Sequence, residues 1–319
     1  MIQIIGAGAI GCLWLAKLQQ SGHACHIVSR SKSPPEQLHF TDLQGQLSKL
    51  TISHSQQLLS NSYSEQSSTI LVCVKAPQVL SALLSQQQHI NNQQIIILMH
   101  NGYGCAEQVY KHFPDNPIIC ATTANASLLN NPLNITHTGI GPSYFGLFSA
   151  PEKISSKKLT NAVSTPQKKH VNSDISHCIM PLQHAMAEVY WCENIIQKCW
   201  LKLMINAVIN PLTAIYQIKN GQLQSLQYST LIQPLILEVF AIAEAELLHF
   251  ELTSLLETVN NVIAATAENF SSMNRDIFYR RETEIEFING YLIKKAQQHN
   301  IETPILVDLY LQIKALESR

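Results

Sequence analysis

Three glycines in six residues, Gly6-Ala7-Gly8-Ala9-Ile10-Gly11, stand between an apolar run of strand length, Ile2–Ile5, and an apolar-periodic stretch, Ile10–Ser21, that reads as a helix. A G-x-G-x-x-G loop at a strand-to-helix junction constrains this chain more than any other feature, because each glycine has a separate task. The first permits the tight turn, the second lets a pyrophosphate approach the backbone, and the third lets helix and strand pack closely. The helix N-terminus then faces the anion with unpaired N–H groups and the positive end of its dipole. A second apolar run, Cys25–Val28, follows Gly22, so the loop sits inside a β-α-β unit. Gly6, Ala7, Gly8, Ala9, Ile10 and Gly11 are therefore expected to bind a dinucleotide. The competing reading is a glycine turn that packs a helix and binds nothing.

The residues ending the second strand select the dinucleotide. An NAD site presents Asp or Glu about 20 residues after the glycines, to accept from the ribose 2′-hydroxyl. Here the chain reads Ile27-Val28-Ser29-Arg30-Ser31-Lys32, with no carboxylate. Arg30, between two hydroxyls and ahead of Lys32, suits a 2′-phosphate, which a guanidinium can grip bidentately. The expected cofactor is NADP(H).

Further along, Thr69–Val74 and Ile95–Met99 are continuous aliphatic runs, the pattern of strands covered on both faces. Ile118–Ala121 reads as another strand, and Ser143 to Gly146 and Met186–Tyr190 as edge strands. From Asn194 onward the pattern becomes helical: Ile195–Ile215, Leu231–His249, Leu252–Phe270, Arg275–Asn300 and a last helix after Pro304. The fold class expected is α/β, with an N-terminal Rossmann-like doubly wound parallel sheet domain over 1–192 and a C-terminal all-α domain over 193–319. The stretch Pro151–His177, rich in Ser, Lys, Asn and Gln, reads as a solvated excursion.

Composition narrows the partner. Of 319 residues only 13% are charged, and 21 basic against 22 acidic residues leave a net charge of -1. Neither the basic excess of a phosphate-neutralising nucleic-acid binder nor the basic patch of a membrane-surface binder is present, so a small-molecule substrate is expected. The eight cysteines contain no C-x-x-C pair and no zinc-ligand spacing, and no metal site is expected. Reduced thiols, the absence of a basic leader, and the absence of an uninterrupted apolar stretch of about 18 residues point to a cytoplasmic chain. Oligomeric state is left open.

Trp200–Asn210 is apolar all round except at Lys202, Asn206 and Asn210, which at i, i+4 and i+8 share one face. A helix of this kind is buried, and a buried ammonium needs a charge partner or a role. The stripe is either a snorkelling lysine with two inter-helix asparagines or a catalytic face. On the stretch Arg275–Asn300, Ile277, Arg281, Glu284, Ile288 and Tyr291 recur at helical steps, placing Glu284 among apolar neighbours with Lys202 as its candidate partner. Asn269 and Ser272 lie just before it.

Together with Lys75-Ala76, His100-Asn101-Gly102, the run Ala264–Met273, Thr283-Glu284-Ile285, the block Val208–Ile215 and Glu286–Gly290, these motifs closely resemble the ketopantoate reductase (2-dehydropantoate 2-reductase) family from Met1 to about Pro304. The resemblance implies NADPH-dependent reduction of ketopantoate to (R)-pantoate in pantothenate and coenzyme A biosynthesis. By motif position it makes Lys202 the catalytic lysine and Glu284 the essential carboxylate, which would hold the substrate's 4-hydroxyl. Asn206, Asn210, Asn269 and Ser272 become substrate contacts, Asn101 a residue near nicotinamide and substrate, and Lys75 and Arg30 cofactor contacts. Two alternatives remain: a reductase of the β-hydroxyacid dehydrogenase type acting on another 2-oxo acid, and a catalytically silent NADP-binding sensor.

Overall fold

The computed structural model describes residues 1–59, 69–148 and 175–318, in two compact units. Most of the polar stretch 151–177 lies outside the described residues; Ile175–Ile179 forms a 3₁₀ turn.

The first unit comprises Met1–Val74, Ala82–Met99 and Ala106–Ile195. In chain order its elements begin β1 (Ile2–Ile5), α1 (Ala9–Gln20), β2 (Cys25–Val28), β3 (Gln37–Thr41), β4 (Leu47–Thr51), β5 (His54–Ser55) and β6 (Thr69–Val72). They continue with α2 (Val79–Leu84), β7 (Ile95–Met99), α3 (Cys105–His112), β8 (Ile118–Thr123), β9 (Ala126–Asn131), β10 (Asn134–Gly139), β11 (Ser143–Leu147), α4 (Met180–Ala185) and β12 (Val189–Trp191). Eight strands form one sheet in the order β12-β11-β8-β7-β6-β1-β2-β5. It is parallel from β5 to β8; β11 runs antiparallel to β8, and β12 parallel to β11. β1, β2, β6 and β7 are buried along their whole length, Gln3 of β1 and His26 of β2 included, as strands covered on both faces are.

A second sheet, absent from the sequence reading, has the order β4-β3-β10-β9. Its Leu38, Phe40, Leu133 and Ile135 join the same core as Leu13, Trp14, Leu15 and Leu18 of α1. This explains why α1 is buried from Gly11 to Ala16 without a polar face: sheet residues cover it on more than one side. Trp14 is fully buried, meets Phe145 edge-on at 6.1 Å, and donates its indole N–H to Met99 Sδ at 3.0 Å.

The second unit comprises Lys75–Ser81, His100–Cys105 and Ile196–Arg319. Its helices are α5 (Ile195–Tyr216), α6 (Leu226–Ala245), α7 (Leu252–Ala265), α8 (Ser272–Phe278), α9 (Asn289–Gln298) and α10 (Pro304–Glu317). Two short stretches that follow β6 and β7 in the chain, Lys75–Ser81 and His100–Cys105, group with this helical unit, which resumes at Ile196. Their polar groups bond there, with Tyr103 N–H donating to Phe287 O at 2.8 Å. α5 continues through Pro211, which cannot donate to the carbonyl of Ala207; the fully buried Asn289 donates its side-chain amide to that carbonyl instead, at 3.3 Å. By length and composition α5 and α6 could each cross a bilayer, but in this unit both contribute to one apolar core with α7, α9 and α10.

Candidate active site

Each glycine of the first loop is held by a different constraint. Gly6 has φ +113°, and a Cβ there would lie 2.8 Å from both the Cys73 carbonyl oxygen and Val74 Cγ1. A Cβ on Gly11 would lie 3.2 Å from Cys73 Cβ and collide outright with the Gly6 carbonyl, so helix and loop touch backbone to backbone. A Cβ on Gly8 would meet nothing closer than 3.9 Å. Space alone does not demand that glycine; open room over the first turn of α1 is what a close-approaching phosphate requires. No side chain caps this helix and its first turn carries no acidic residue, so its N–H groups and dipole are available to an anion. Arg30 is exposed just beyond β2, with no carboxylate at the strand's end. The residues present fit a dinucleotide, and one bearing a 2′-phosphate.

Lys202, Asn206 and Asn210 fall on one continuous helix, α5. Lys202 and Asn206 are half-buried and Asn210 is buried. Burial pushes the Lys202 ammonium below the usual lysine range, against the opposing pull of the Glu284 charge.

Glu284 does not stand on a helical stripe. The expected helix Arg275–Asn300 is broken: α8 ends at Phe278, Arg280 takes φ +53°, a 3₁₀ turn spans Ile285–Phe287, and α9 starts at Asn289. The break holds itself together, because Thr283 Oγ1 accepts from Ile285 N–H at 3.1 Å while Glu317 accepts from both Thr283 N–H and Oγ1–H. At its apex Glu284 is only 6% exposed. Oε1 accepts from the Ala76 N–H at 3.0 Å and Oε2 from Asn101 Nδ2 at 2.9 Å. Burial pushes its carboxyl above the usual range, although these two bonds and the charges of Lys75 and Lys202 all favour the anion. Glu284 therefore lies in this break and not on a helical stripe, with the Lys202 charge acting on it.

The backbone around Asn101 is as constrained as its side chain. Gly102 has φ +86°, and a Cβ there would sit 2.6 Å from the Phe287 carbonyl oxygen. This close approach, with the Tyr103–Phe287 hydrogen bond, fixes the loop that aims Asn101 at Glu284.

Lys75 is half-buried and engaged: Nζ pairs with Asp276 Oδ1 at 2.7 Å and donates to Glu282 O at 2.6 Å. Asp276 is buried, and burial raises its carboxyl despite the lysine. Sequence reading missed Asp276, whose one signal was its position four residues after Ser272. His100, named from sequence only as part of a motif and given no role, is kept below the usual histidine range by burial, with the Lys202 charge acting in the same direction and its bond to Asn101 O opposing. Asn269 and Ser272 are exposed. Ser271, not Ser272, is buried as the cap of α8, accepting from Asn274 N–H at 3.1 Å and from Thr213 Oγ1–H at 2.7 Å.

One chain thus holds a Rossmann-type unit with an uncapped glycine-loop helix and a helical unit in which a half-buried lysine and a buried glutamate act on each other's charge, the parts of a nucleotide-dependent oxidoreductase. Residues 2–150 match the family model described as ketopantoate reductase PanE/ApbA, and residues 194–317 match its C-terminal counterpart. A curated 2-dehydropantoate 2-reductase from Vibrio cholerae is 35% identical over 316 residues, covering 99% of this chain and 97% of that protein. Among solved structures, a PanE/ApbA family ketopantoate reductase from Ralstonia eutropha JMP134 has a TM-score of 0.82 at 19% identity, covering 100% of this chain and 99% of that one. The ternary structure of D-mandelate dehydrogenase with NADH and anilino(oxo)acetate reaches 0.84 at 19% identity, with the same coverage. The chain belongs to the ketopantoate reductase family.

Proposed function

We propose that this protein catalyses the NADPH-dependent reduction of 2-dehydropantoate to (R)-pantoate, in pantothenate and coenzyme A biosynthesis. The observation that carries the reading is the buried Glu284, doubly hydrogen-bonded by Ala76 and Asn101 and electrostatically coupled to Lys202, in a chain that belongs to this family. NADPH, when bound, supplies the hydride that reduces C2 of the 2-oxo acid.

The chain's own residues do the rest. The backbone of Gly6–Gly11 takes the pyrophosphate, and Arg30 takes the 2′-phosphate. Lys202 stabilises the negative charge that develops on the C2 oxygen and donates the proton that completes the alcohol; a pKa lowered by burial brings this acid closer to neutral pH, where proton transfer is most effective. Glu284 accepts from the substrate's 4-hydroxyl and, as the counter-charge, keeps Lys202 protonated. Asn101, whose amide donates to Glu284, contacts nicotinamide and substrate in this reading. Asn206, Asn210, Asn269 and Ser272 bind the substrate's polar atoms without adding charge. Lys75 contacts the cofactor from its anchorage on Asp276.

We assign the protein to the cytoplasm, a reducing compartment compatible with thiols such as Cys12 and Cys25, which burial pushes up to about 12 and about 11 and so keeps protonated. The test is NADPH oxidation with ketopantoate against pyruvate, 2-oxoisovalerate and no substrate. Turnover confined largely to ketopantoate supports the reading, whereas a folded protein that consumes no NADPH with it refutes the reading.

A further inference from the structure

β5 is only two residues long, yet it is placed where the nucleotide is selected. It pairs in parallel with β2 (Ile27 opposite His54, Val28 opposite Ser55), and Ser29 N–H continues the ladder to Ser55 O at 3.1 Å. The strand end that presents Ser29 and Arg30 therefore does not project alone. His54 Nε2 lies 2.9 Å from Ser29 Oγ, and Gln56 Nε2 donates to the Arg30 carbonyl at 3.0 Å. Behind them His26, 2% exposed, is clamped through both ring nitrogens by the hydroxyls of Ser53 and Ser55, at 2.7 and 2.8 Å. A buried imidazole with both nitrogens engaged fixes β5 against β2 from below.

We infer that His54 and Gln56 are positioning residues for 2′-phosphate recognition: they hold the Ser29 hydroxyl and the Arg30 backbone in the geometry that grips a phosphomonoester on the ribose. This inference rests on the reading of Arg30 as the 2′-phosphate contact. The hydrogen-bond chemistry gives it content. When His54 Nε2 carries the hydrogen and donates to Ser29 Oγ, the serine's own hydrogen is left to donate to a phosphate oxygen. With the opposite tautomer the serine spends its hydrogen on the ring. Burial keeps His54 below the usual histidine range, so at neutral pH the ring acts through this bond and not as a cation. Arg30 and Lys32, both exposed, supply the positive charge at this strand end. Gln56 removes backbone freedom from Arg30, so less entropy is lost per bond formed.

Calorimetric titration with 2′,5′-ADP and with 5′-AMP reads the phosphomonoester separately from the rest of the nucleotide and needs no turnover. Losing one oriented hydrogen bond to a charged group predicts roughly a ten- to hundredfold weaker 2′,5′-ADP affinity in His54→Ala, with 5′-AMP changed less than about twofold. His54→Gln, which keeps an N–H donor, recovers most of the loss. The Ser29→Ala/His54→Ala pair loses no more than Ser29→Ala alone, because His54 acts through that hydroxyl. Equal weakening of both ligands, additive losses, or no loss in a folded His54→Ala overturns the inference. Should His54→Ala not fold, the same comparison between His54→Gln and Gln56→Ala decides: a selective 2′,5′-ADP loss in Gln56→Ala supports the inference, and its absence overturns it. If wild-type protein binds 2′,5′-ADP no better than 5′-AMP, or Arg30→Ala leaves the difference intact, the Arg30 reading itself fails, and the two failures are told apart.

Discussion

Glu284→Gln separates a catalytic carboxylate from a structural strut. In the wild type the carboxylate accepts from a fixed backbone donor, Ala76 N–H, and from a rotatable one, Asn101 Nδ2. A glutamine can present its Oε1 to Ala76, while Asn101 flips to offer its own oxygen to the new Nε2. Both bonds survive as neutral ones, at a loss of about 1 kcal/mol each. Against this stands the burial of an anion only 6% exposed, whose effective desolvation penalty is several kcal/mol. Desolvation heads the causes that raise the Glu284 pKa, so the fold disfavours the ionised form. A raised folded-state pKa means that the residue's contribution is fully present below the unfolded value of about 4.3 and is lost as pH rises through the folded value. Glutamine does not titrate, so the variant's stability relative to wild type improves from pH 4 to pH 8. Urea unfolding at several pH values should find Glu284→Gln at least as stable as wild type at pH 8, while kcat/KM falls by at least about 10²-fold, some 2.7 kcal/mol of transition-state stabilisation. The surviving activity should lose its basic limb at lower pH, because the charge that holds the Lys202 pKa up is gone. A variant that is several kcal/mol less stable at pH 8 would refute the reasoning and make Glu284 a strut.

Lys202→Ala should lower kcat by at least about 10²-fold, with circular dichroism and the thermal midpoint little changed. Gly8→Ala and Gly11→Ala should part company: the first has room for its Cβ and should fold but bind NADPH at least tenfold more weakly, while the second collides with Gly6 and should fail to accumulate as folded protein. Cys12, Cys25 and Cys178, pushed up to about 12, 11 and 12 by burial, should resist iodoacetamide at pH 8 in the native state and react within minutes in urea, read by intact-mass spectrometry.

What the sequence revealed depended on how sharply local chemistry marked each element. β1, β2 and β7 were legible to the residue because short, mainly aliphatic runs bounded by glycine or polar residues admit few other readings. The sheet built from β3, β4, β9 and β10 was not. Segments such as Leu47–Thr51, half exposed and carrying Ser48 and Lys49, become strands by pairing with one another and covering α1, not by any propensity of their own. The Asn130-Asn131-Pro132 turn was the available hint. The start of α6 was also missed: it begins at Leu226, five residues before the expected Leu231, because Gln227, Ser229 and Thr230 interrupt the apolar pattern there. The break that raises Glu284 has no glycine or proline to announce it. It is imposed by Thr283, Glu317 and the Glu284 hydrogen bonds, all contacts distant in sequence. Lys202 was legible because a lone cation on an apolar helix demands explanation; Asp276 was not, because its meaning comes from Lys75, two hundred residues earlier.

The role of Lys202 is tested most directly by the pH dependence of steady-state NADPH oxidation with ketopantoate, in wild type and in Lys202→Ala. Wild type should turn over with a basic limb in kcat set by a lysine titrating below its ordinary value of 10.5, and that limb should disappear together with most of the rate in Lys202→Ala. A wild-type rate unchanged up to pH 10, or a variant that retains both rate and limb, would contradict it.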